Sequence, residues 1–357
     1  MQPIDRYREQ ARETLTARAL DYFEGGAGDE RTIGDNESAW ADLWLRPRVL
    51  VDVDLVDCSI ELLGSRLSMP VILAPVALQR LAHPDGELAT ARAAARAGTV
   101  HCLSSRATAD LREVAEAADG ARWFQLYVER DRALTEEVLR RAAAAGYERV
   151  VLTADFAVTP RREREEHHGE WQLPDGVTVA THLGRPRAPD DRLMGGWDAT
   201  LSWRDLGWVA ETSGLPVIVK GILTAEDAAL AVEHGAQAVV VSNHGGRQLE
   251  GAVPSAVALP EVVEEVGDRV PVLVDGGIRS GTDVFRALAL GAEAVLVGRP
   301  YLWGLAAAGE EGVLAVLDAL REDLRRTMAL AGCPSVQAVT PAHVRPRAEP
   351  GSLRAGP

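Results

Sequence analysis

The segment Ser242-Asn243-His244-Gly245-Gly246-Arg247-Gln248 sets an imidazole three positions from a guanidinium, with two glycines between them. An imidazole can take a proton near neutral pH, and a guanidinium can grip a planar anion through paired hydrogen bonds. The glycines let the backbone pass close to a bound molecule. A lone histidine is more often a hydrogen-bonded structural residue, but its arginine and glycine neighbours turn the reading toward chemistry. Two further segments, Asp275-Gly276-Gly277-Ile278-Arg279-Ser280-Gly281 and Gly298-Arg299-Pro300, combine glycines with arginines. Backbone N–H groups and guanidiniums in such turns form a phosphate site. In Gln125-Leu126-Tyr127 the strand alternation points Gln125 and Tyr127 the same way, and Thr153-Ala154-Asp155 precedes Arg162 by a few residues. Of the 38 basic residues, Lys220 is the only lysine, and it ends the apolar run Val217-Ile218-Val219. An ammonium there is costly to bury without a partner, so it reads as a charge placed at a site. The whole set suits an anionic substrate beside a phosphorylated cofactor.

These residues all stand at the ends of short apolar runs. Eight runs recur: Val71 to Ala74, His101 to Ser104, Trp123 to Val128, Val150 to Asp155, Val217 to Lys220, Ala238 to Ser242, Val272 to Asp275 and Ala294 to Val297. Helical stretches such as Gly86 to Ala97, Ala133 to Ala145, Ala225 to His234 and Gly281 to Leu290 alternate with them. Continuous apolar strands alternating with helices indicate parallel strands covered by helices, and eight units fit a closed (β/α)8 barrel, a TIM barrel of the α/β class. The chemistry of such barrels lies at the C-terminal strand ends. The expected organisation is one domain over 1–357. It comprises a helical N-terminal extension over 1–60, a barrel over 70–335 with a charged lid over 156–200, and a flexible tail over 341–357. Trp203 to Glu211 reads as the helix that returns the lid to the barrel.

A net charge of −15 argues against a broad nucleic-acid surface. No apolar run approaches the roughly 20 residues needed to cross a bilayer, and Met1 to Arg8 lacks a signal-peptide pattern. The expected location is cytoplasmic. Cys58, Cys102 and Cys333 are far apart and without metal-ligand spacing, which implies neither disulfides nor zinc. The run Glu163 to His168 reads as a solvated charged face, so no metal is expected.

From Asp21-Tyr22-Phe23 through Arg46-Pro47-Arg48, Ala74-Pro75-Val76-Ala77, His83-Pro84, Gln125-Leu126-Tyr127 and Val219-Lys220-Gly221 to Leu330-Ala331-Gly332-Cys333, the chain resembles the FMN-dependent 2-hydroxy acid oxidase and dehydrogenase family. That family includes glycolate oxidase, lactate oxidase, mandelate dehydrogenase and 4-hydroxymandelate oxidase. The resemblance implies that FMN is the cofactor and that a small (S)-2-hydroxy acid is oxidised to the 2-oxo acid. His244 would take the hydroxyl proton while hydride passes to flavin N5, and Asp155 would orient the imidazole. Arg162 and Arg247 would hold the substrate carboxylate, with Tyr22 and Tyr127 adding hydroxyl contacts. Pro75, Val76 and Ala77 would lie along the flavin, with the Ala77 backbone near N5. Ser104, Gln125 and Thr153 would bond the isoalloxazine, and Lys220 would sit near N1 and O2. Ser242, Asp275, Gly276, Gly277, Arg279, Gly298 and Arg299 would complete the cofactor site down to its phosphate. Oxygen, a quinone or another protein would reoxidise the flavin, and the lack of an apolar membrane segment leans towards oxygen, which would give hydrogen peroxide; the resemblance also implies a homotetramer.

The chain departs from the family at Arg106, where glycolate oxidase has a tryptophan, and at Phe156-Ala157-Val158-Thr159-Pro160. Arg106 is expected either to face the substrate side chain and favour a polar or anionic group, or to turn outward or pair with a lid carboxylate such as Glu163 or Glu165. A mandelate-like side chain is a further possibility. Competing readings on the same barrel are an FMN-dependent isomerase, a Schiff-base lyase using Lys220, and a catalytically dead binding module.

Overall fold

The computed structural model describes residues 3–169, 173–180 and 196–347. Three helices open the chain: α1 (Pro3–Thr14), α2 (Ala17–Glu24) and α3 (Arg31–Ala41). The Thr16 hydroxyl caps α2 by accepting the Ala19 N–H at 3.3 Å, which contributes about 1 kcal/mol. The extension is helical only that far, because β1 (Leu43–Leu45) and an antiparallel hairpin of β2 (Ile60–Leu62) and β3 (Ser65–Leu67) follow.

Strand–helix alternation then begins with β4 (Val71–Leu73), α4 (Gly86–Ala97), β5 (His101–Ser104), α5 (Leu111–Ala117), β6 (Arg122–Leu126), α6 (Arg132–Ala144) and β7 (Arg149–Thr153). The short α7 (Glu163–Glu166) and α8 (Asp205–Ser213) separate β7 from β8 (Val217–Ile222). After them come α9 (Ala225–Glu233), β9 (Ala238–Val241), α10 (Ser255–Val266), β10 (Val272–Asp275), α11 (Gly281–Ala289), β11 (Ala294–Val297) and α12 (Arg299–Ala331), which breaks at Ala308 and Gly309. The strands from β4 to β11 pair in parallel and close into an eight-stranded barrel, as their apolar runs predict.

Alternation along the strands divides the core. Ile72, Cys102, Trp123, Val151, Ile218, Val240, Leu273 and Leu296 form one cluster drawn from all eight strands, which only the barrel interior can assemble. Leu73, Leu103, Phe124, Leu152, Val219 and Val241 belong to the other cluster, shared with the helices. Each fully buried aliphatic side chain is worth about 2 kcal/mol. Ile60, Leu62 and Leu67 of the hairpin join the interior cluster. Arg149, at the start of β7, donates to Leu63 O, so the hairpin closes the N-terminal mouth. Chemistry is left to the opposite end.

The tail differs in part from its expectation. A final strand, β12 (Val344–Pro346), pairs antiparallel with β1, Leu43 opposite Pro346, and Val344 is buried. A ladder and an apolar anchor thus order the start of the segment expected to be flexible, while 348–357 lie outside the described residues. In the expected lid over 156–200, residues 170–172 and 181–195 lie outside them too. The chain returns at Trp197, which bridges to Glu129 just beyond β6. Among the described residues no helix is long and apolar enough to cross a membrane.

One core residue carries a cost. His101, at the start of β5, is buried, and neither ring nitrogen finds a partner among the described residues. Burial pushes its imidazole down to about 4. The unfolded chain takes up a proton below the ordinary 6.5, whereas the folded chain does not until about 4. Stability is therefore full above that range and falls by about 3 kcal/mol as the pH drops through it. Urea unfolding of His101→Leu between about pH 7 and about pH 4 should show a smaller loss of stability than the wild type by that amount. Equal losses in the two proteins would remove His101 from the acid response.

Candidate active site

A cavity opens at the C-terminal ends of the barrel strands. His244 stands there three residues beyond β9, at φ 60, a left-handed conformation uncommon for a residue with a side chain. Its backbone N–H donates to Ser242 Oγ at 3.0 Å, and Gly245 and Gly246 continue the left-handed turn at φ 63 and 76. Nδ1 lies 3.0 Å from Asp155 Oδ1 and 3.2 Å from Oδ2. An ionised carboxylate only accepts, so Nδ1 carries the proton and Nε2 offers its lone pair. Tyr127 OH lies 3.3 Å from Nε2, and burial holds that phenol above its usual range, leaving the hydroxyl as the donor. Burial lowers the His244 pKa against the opposing pull of Asp155, with Lys220 adding to the lowering. The imidazole is a neutral base with an anion behind it.

Asp155 is itself fixed from behind. Gln248 Nε2 donates to Asp155 O at 2.7 Å. Burial alone would raise the Asp155 carboxyl, but His244 and Lys220 outweigh it and hold it low. Gly221 leaves β8 at φ 109, and a Cβ there would stand 2.6 Å from the Asp155 Cβ. Only glycine lets β7 and β8 present Asp155 and Lys220 side by side.

Lys220 Nζ donates to Ser242 Oγ at 2.8 Å and pairs with Asp275 Oδ2 at 3.0 Å. Burial would lower its pKa, yet Asp275 and Asp155 reverse the sign and the ammonium stays charged. A hydrogen-bonded chain thus runs from Asp275 through Lys220 and Ser242 to the His244 backbone. Gln125, behind the wall, accepts from Ser104 Oγ at 3.1 Å and donates to Thr153 Oγ1 at 2.9 Å.

Two arginines face the mouth beside His244. Arg247 Nη1 donates to Tyr22 O at 2.7 Å and Gly25 O at 2.6 Å, and its guanidinium lies over the Tyr22 ring. Burial and the neighbouring Arg162 push Arg247 down to about 10. Arg162 Nε donates to Arg247 O at 3.3 Å. Glu165 of α7 sits 3.2 Å from Arg162 and 3.6 Å from Arg247, a carboxylate held by both guanidiniums. Glu165 belongs to the run expected as a solvated charged face, yet its side chain is only 10% exposed between the two guanidiniums.

At the other end Arg299 donates to Phe23 O, Gly245 O and Gly25 O at 3.2, 2.9 and 2.9 Å. Burial, with Arg247 and Arg279 nearby, pushes it down to about 9. Arg279 pairs with Glu37 at 2.9 Å. Gly276, Gly277 and Gly298 line the cavity between these arginines, and Pro75, Val76 and Ala77 line it beyond β4. A Cβ on Gly277 would meet Asn36 O at 2.3 Å. Arg279 Nε and Asp275 Oδ1 are buried without a partner among the described residues. An elongated molecule with an anionic end, hydroxyls and a flat polar ring fits this donor set, and FMN has those parts. No cluster of three or more metal-ligating side chains occurs among the described residues.

Arg106 lines the cavity rather than turning outward, and its counter-charge is neither Glu163 nor Glu165. Its guanidinium pairs with Glu129 at 3.0 Å and lies 4.0 Å from the Trp197 ring centroid. The reason is local: the chain returning from the lid bridges at Trp197 to Glu129, placing both beside β5 and β6. Tyr127, Phe156 and Trp197 pack mutually, with centroids 5.0, 4.9 and 5.1 Å apart. Glu129 and Trp197 escaped sequence reading because nothing in their spacing links them to Arg106.

The sequence matches the family described as FMN-dependent dehydrogenase over residues 11–346. It is 45% identical over 350 residues to glycolate oxidase 3 of Arabidopsis thaliana, covering 95% of this chain and 94% of the relative. L-lactate oxidase of Nostoc sp. is 47% identical over 345 residues, with 93% and 94% covered. Among solved structures, a mandelate oxidase variant with (S)-mandelic acid is similar at a TM-score of 0.88 and 42% identity, covering 96% of this chain and 97% of that one.

Gly221→Ala should force Asp155 away from His244. Without that carboxylate the imidazole loses the contact opposing burial, so its pKa should fall further. Histidine ring ¹⁵N NMR across a pH titration checks this, and an unchanged His244 titration would show that Asp155 had not moved.

Proposed function

Because the chain belongs to the FMN-dependent dehydrogenase family and takes FMN as its cofactor, we propose that it oxidises a small (S)-2-hydroxy acid to the 2-oxo acid with His244 as base. The observation that carries this reading is the neutral His244, with Asp155 on Nδ1 and Nε2 directed into a cavity flanked by Arg162 and Arg247. The two guanidiniums hold the substrate carboxylate, a planar anion suited to paired N–H donors. Glu165 must share them with it. The Tyr22 and Tyr127 hydroxyls, both kept protonated by burial, steady the substrate oxygens. His244 Nε2 takes the hydroxyl proton, and Asp155 stabilises the resulting imidazolium.

FMN, when bound, supplies the two-electron acceptor for the Cα hydrogen. Arg279 and Arg299 with Gly276, Gly277 and Gly298 hold its phosphate end, and Asp275 its hydroxyls. Pro75, Val76, Ala77, Ser104, Gln125 and Thr153 hold its ring system, to which Lys220, fixed by Asp275 and Ser242, offers a positive charge. That fixed ammonium also counts against a Schiff-base lyase, which needs a neutral lysine nucleophile. The naming of the relatives as oxidases supports oxygen as the acceptor that returns the flavin to its oxidised form, with hydrogen peroxide as product.

The substrate side chain meets Phe156, Trp197 and Arg106. Glu129 draws off much of the Arg106 charge, so a second carboxylate on the substrate would compete with Glu129. The aromatic packing instead favours a flat, aryl side chain of the mandelate kind, in keeping with the similar structure solved with (S)-mandelic acid.

Two outcomes test the reading. His244→Ala should keep its yellow flavin yet reduce it about 10²- to 10⁴-fold more slowly on anaerobic mixing with a 2-hydroxy acid; wild-type rates would remove His244 from the base role. Wild-type kcat/KM should rank mandelate above lactate and a dicarboxylic 2-hydroxy acid, and Arg106→Ala should narrow that preference by about tenfold. An unaltered ranking and spacing in the variant would take Arg106 out of side-chain selection.

A further inference from the structure

Arg279 closes the phosphate end of the cavity, and its surroundings reach back to the first helix of the chain. Trp303, on α12, is 2% exposed. Both the Arg279 and the Arg8 guanidiniums lie over its ring, 5.3 and 5.0 Å from the centroid. The indole N–H donates to Glu24 Oε1 at 2.5 Å, and Arg8 donates to Glu24 Oε2 at 3.1 Å. Glu24 is the last residue of α2, set between Phe23 and Gly25, whose carbonyls anchor Arg299.

A buried carboxylate this close to a phosphate site would repel the phosphate unless its charge were already committed. Arg8 and Trp303 commit it. Burial would raise the Glu24 carboxyl, but Arg8 and the indole N–H outweigh burial and hold it low. Its charge then serves to fix the indole, and the indole face fixes the Arg279 guanidinium beside Glu37.

We infer that α1 is a working part of the cofactor-phosphate site, with Arg8 a positioning residue that sets Arg279 through Glu24 and Trp303. This rests on the assignment of Arg279 to the phosphate end. Without Arg8, Glu24 keeps only the more distant Arg12 guanidinium, 3.8 Å away, and the indole N–H, so the carboxylate that fixes the indole is held less firmly and Arg279 loses support on that side. The loss falls on phosphate recognition and leaves the ring and ribityl contacts in place.

Riboflavin, which lacks the phosphate, separates this role from a general loosening of the fold. Full-length protein stripped of flavin is titrated with FMN and with riboflavin by fluorescence quenching, and the ratio of the two Kd values is compared among variants. Arg8→Met should lower the preference for FMN by about tenfold while riboflavin affinity stays near wild type. Trp303→Phe keeps an aromatic face for Arg279 but removes the N–H to Glu24 together with the pyrrole part of the indole. It should lower the ratio in the same direction and serves if Arg8→Met does not fold. Unchanged ratios in both variants, with Arg279→Met still losing the preference, would overturn the role of α1 alone. An unchanged ratio in Arg279→Met would overturn the phosphate assignment and this inference with it.

Discussion

The carbonyl oxygens at the C-terminal end of α2 hold two half-buried guanidiniums, and the functional end of the barrel is arranged around that contact. Tyr22 O and Gly25 O receive Arg247, while Phe23 O and Gly25 O receive Arg299. Desolvating a cation costs several kcal/mol unless hydrogen bonds replace its water. A helix end supplies such bonds, because its last carbonyls lack intrahelical partners and carry its negative partial charge. The compensation is incomplete, since both arginines stay below their ordinary pKa, each lowered first by burial and then by a neighbouring guanidinium. The unbalanced positive charge suits a carboxylate at one end and a phosphate at the other. The N-terminal extension is therefore not an accessory to the barrel; its second helix is one wall of the cavity.

A second constraint joins those two ends. Asp275 and Ser242 hold the Lys220 ammonium, and Ser242 Oγ also receives the His244 N–H, so the charge offered to the cofactor and the backbone of the base share one hydroxyl. A left-handed histidine backbone costs on the order of 1 kcal/mol and persists only where the surroundings over-determine it. The serine bond, the Asp155 pair and the two following glycines provide that over-determination. The imidazole is thus aimed by the same network that holds the lysine, and loosening either would disturb both.

The legible part of this molecule is the part written in local periodicity. The eight barrel strands were visible because each is an apolar run buried on both faces, and their ends carried the conspicuous pairings of glycine with arginine or histidine. His244, Asp275, Arg279 and Arg299 follow from strand-end position and residue chemistry. Glu129, Trp197 and Glu165 do not, because Glu129 meets Arg106 and Trp197, and Glu165 meets Arg247, across long stretches of chain. Arg106 shows the difference: its novelty could be seen, but its partner depended on a bridge between Glu129, three residues beyond β6, and Trp197, far along the chain. The tail misled for a similar reason, since proline, glycine and arginine composition says nothing of a vacant β1 edge waiting to be paired.

The overall charge of −15 and the cationic cavity pull in opposite directions on an anionic substrate. At physiological ionic strength the screening length is about 8 Å, so most surface carboxylates are hidden from a molecule inside the barrel mouth. Arg162, Arg247, Arg279 and Arg299 act at contact distance in a low-dielectric setting, where each counts for far more than an exposed charge. Glu165 and Glu37 then matter more than the whole acidic surface, because they share those guanidiniums directly. Binding strength at each end is set by how Glu165 and Glu37 divide these arginines with the incoming anion.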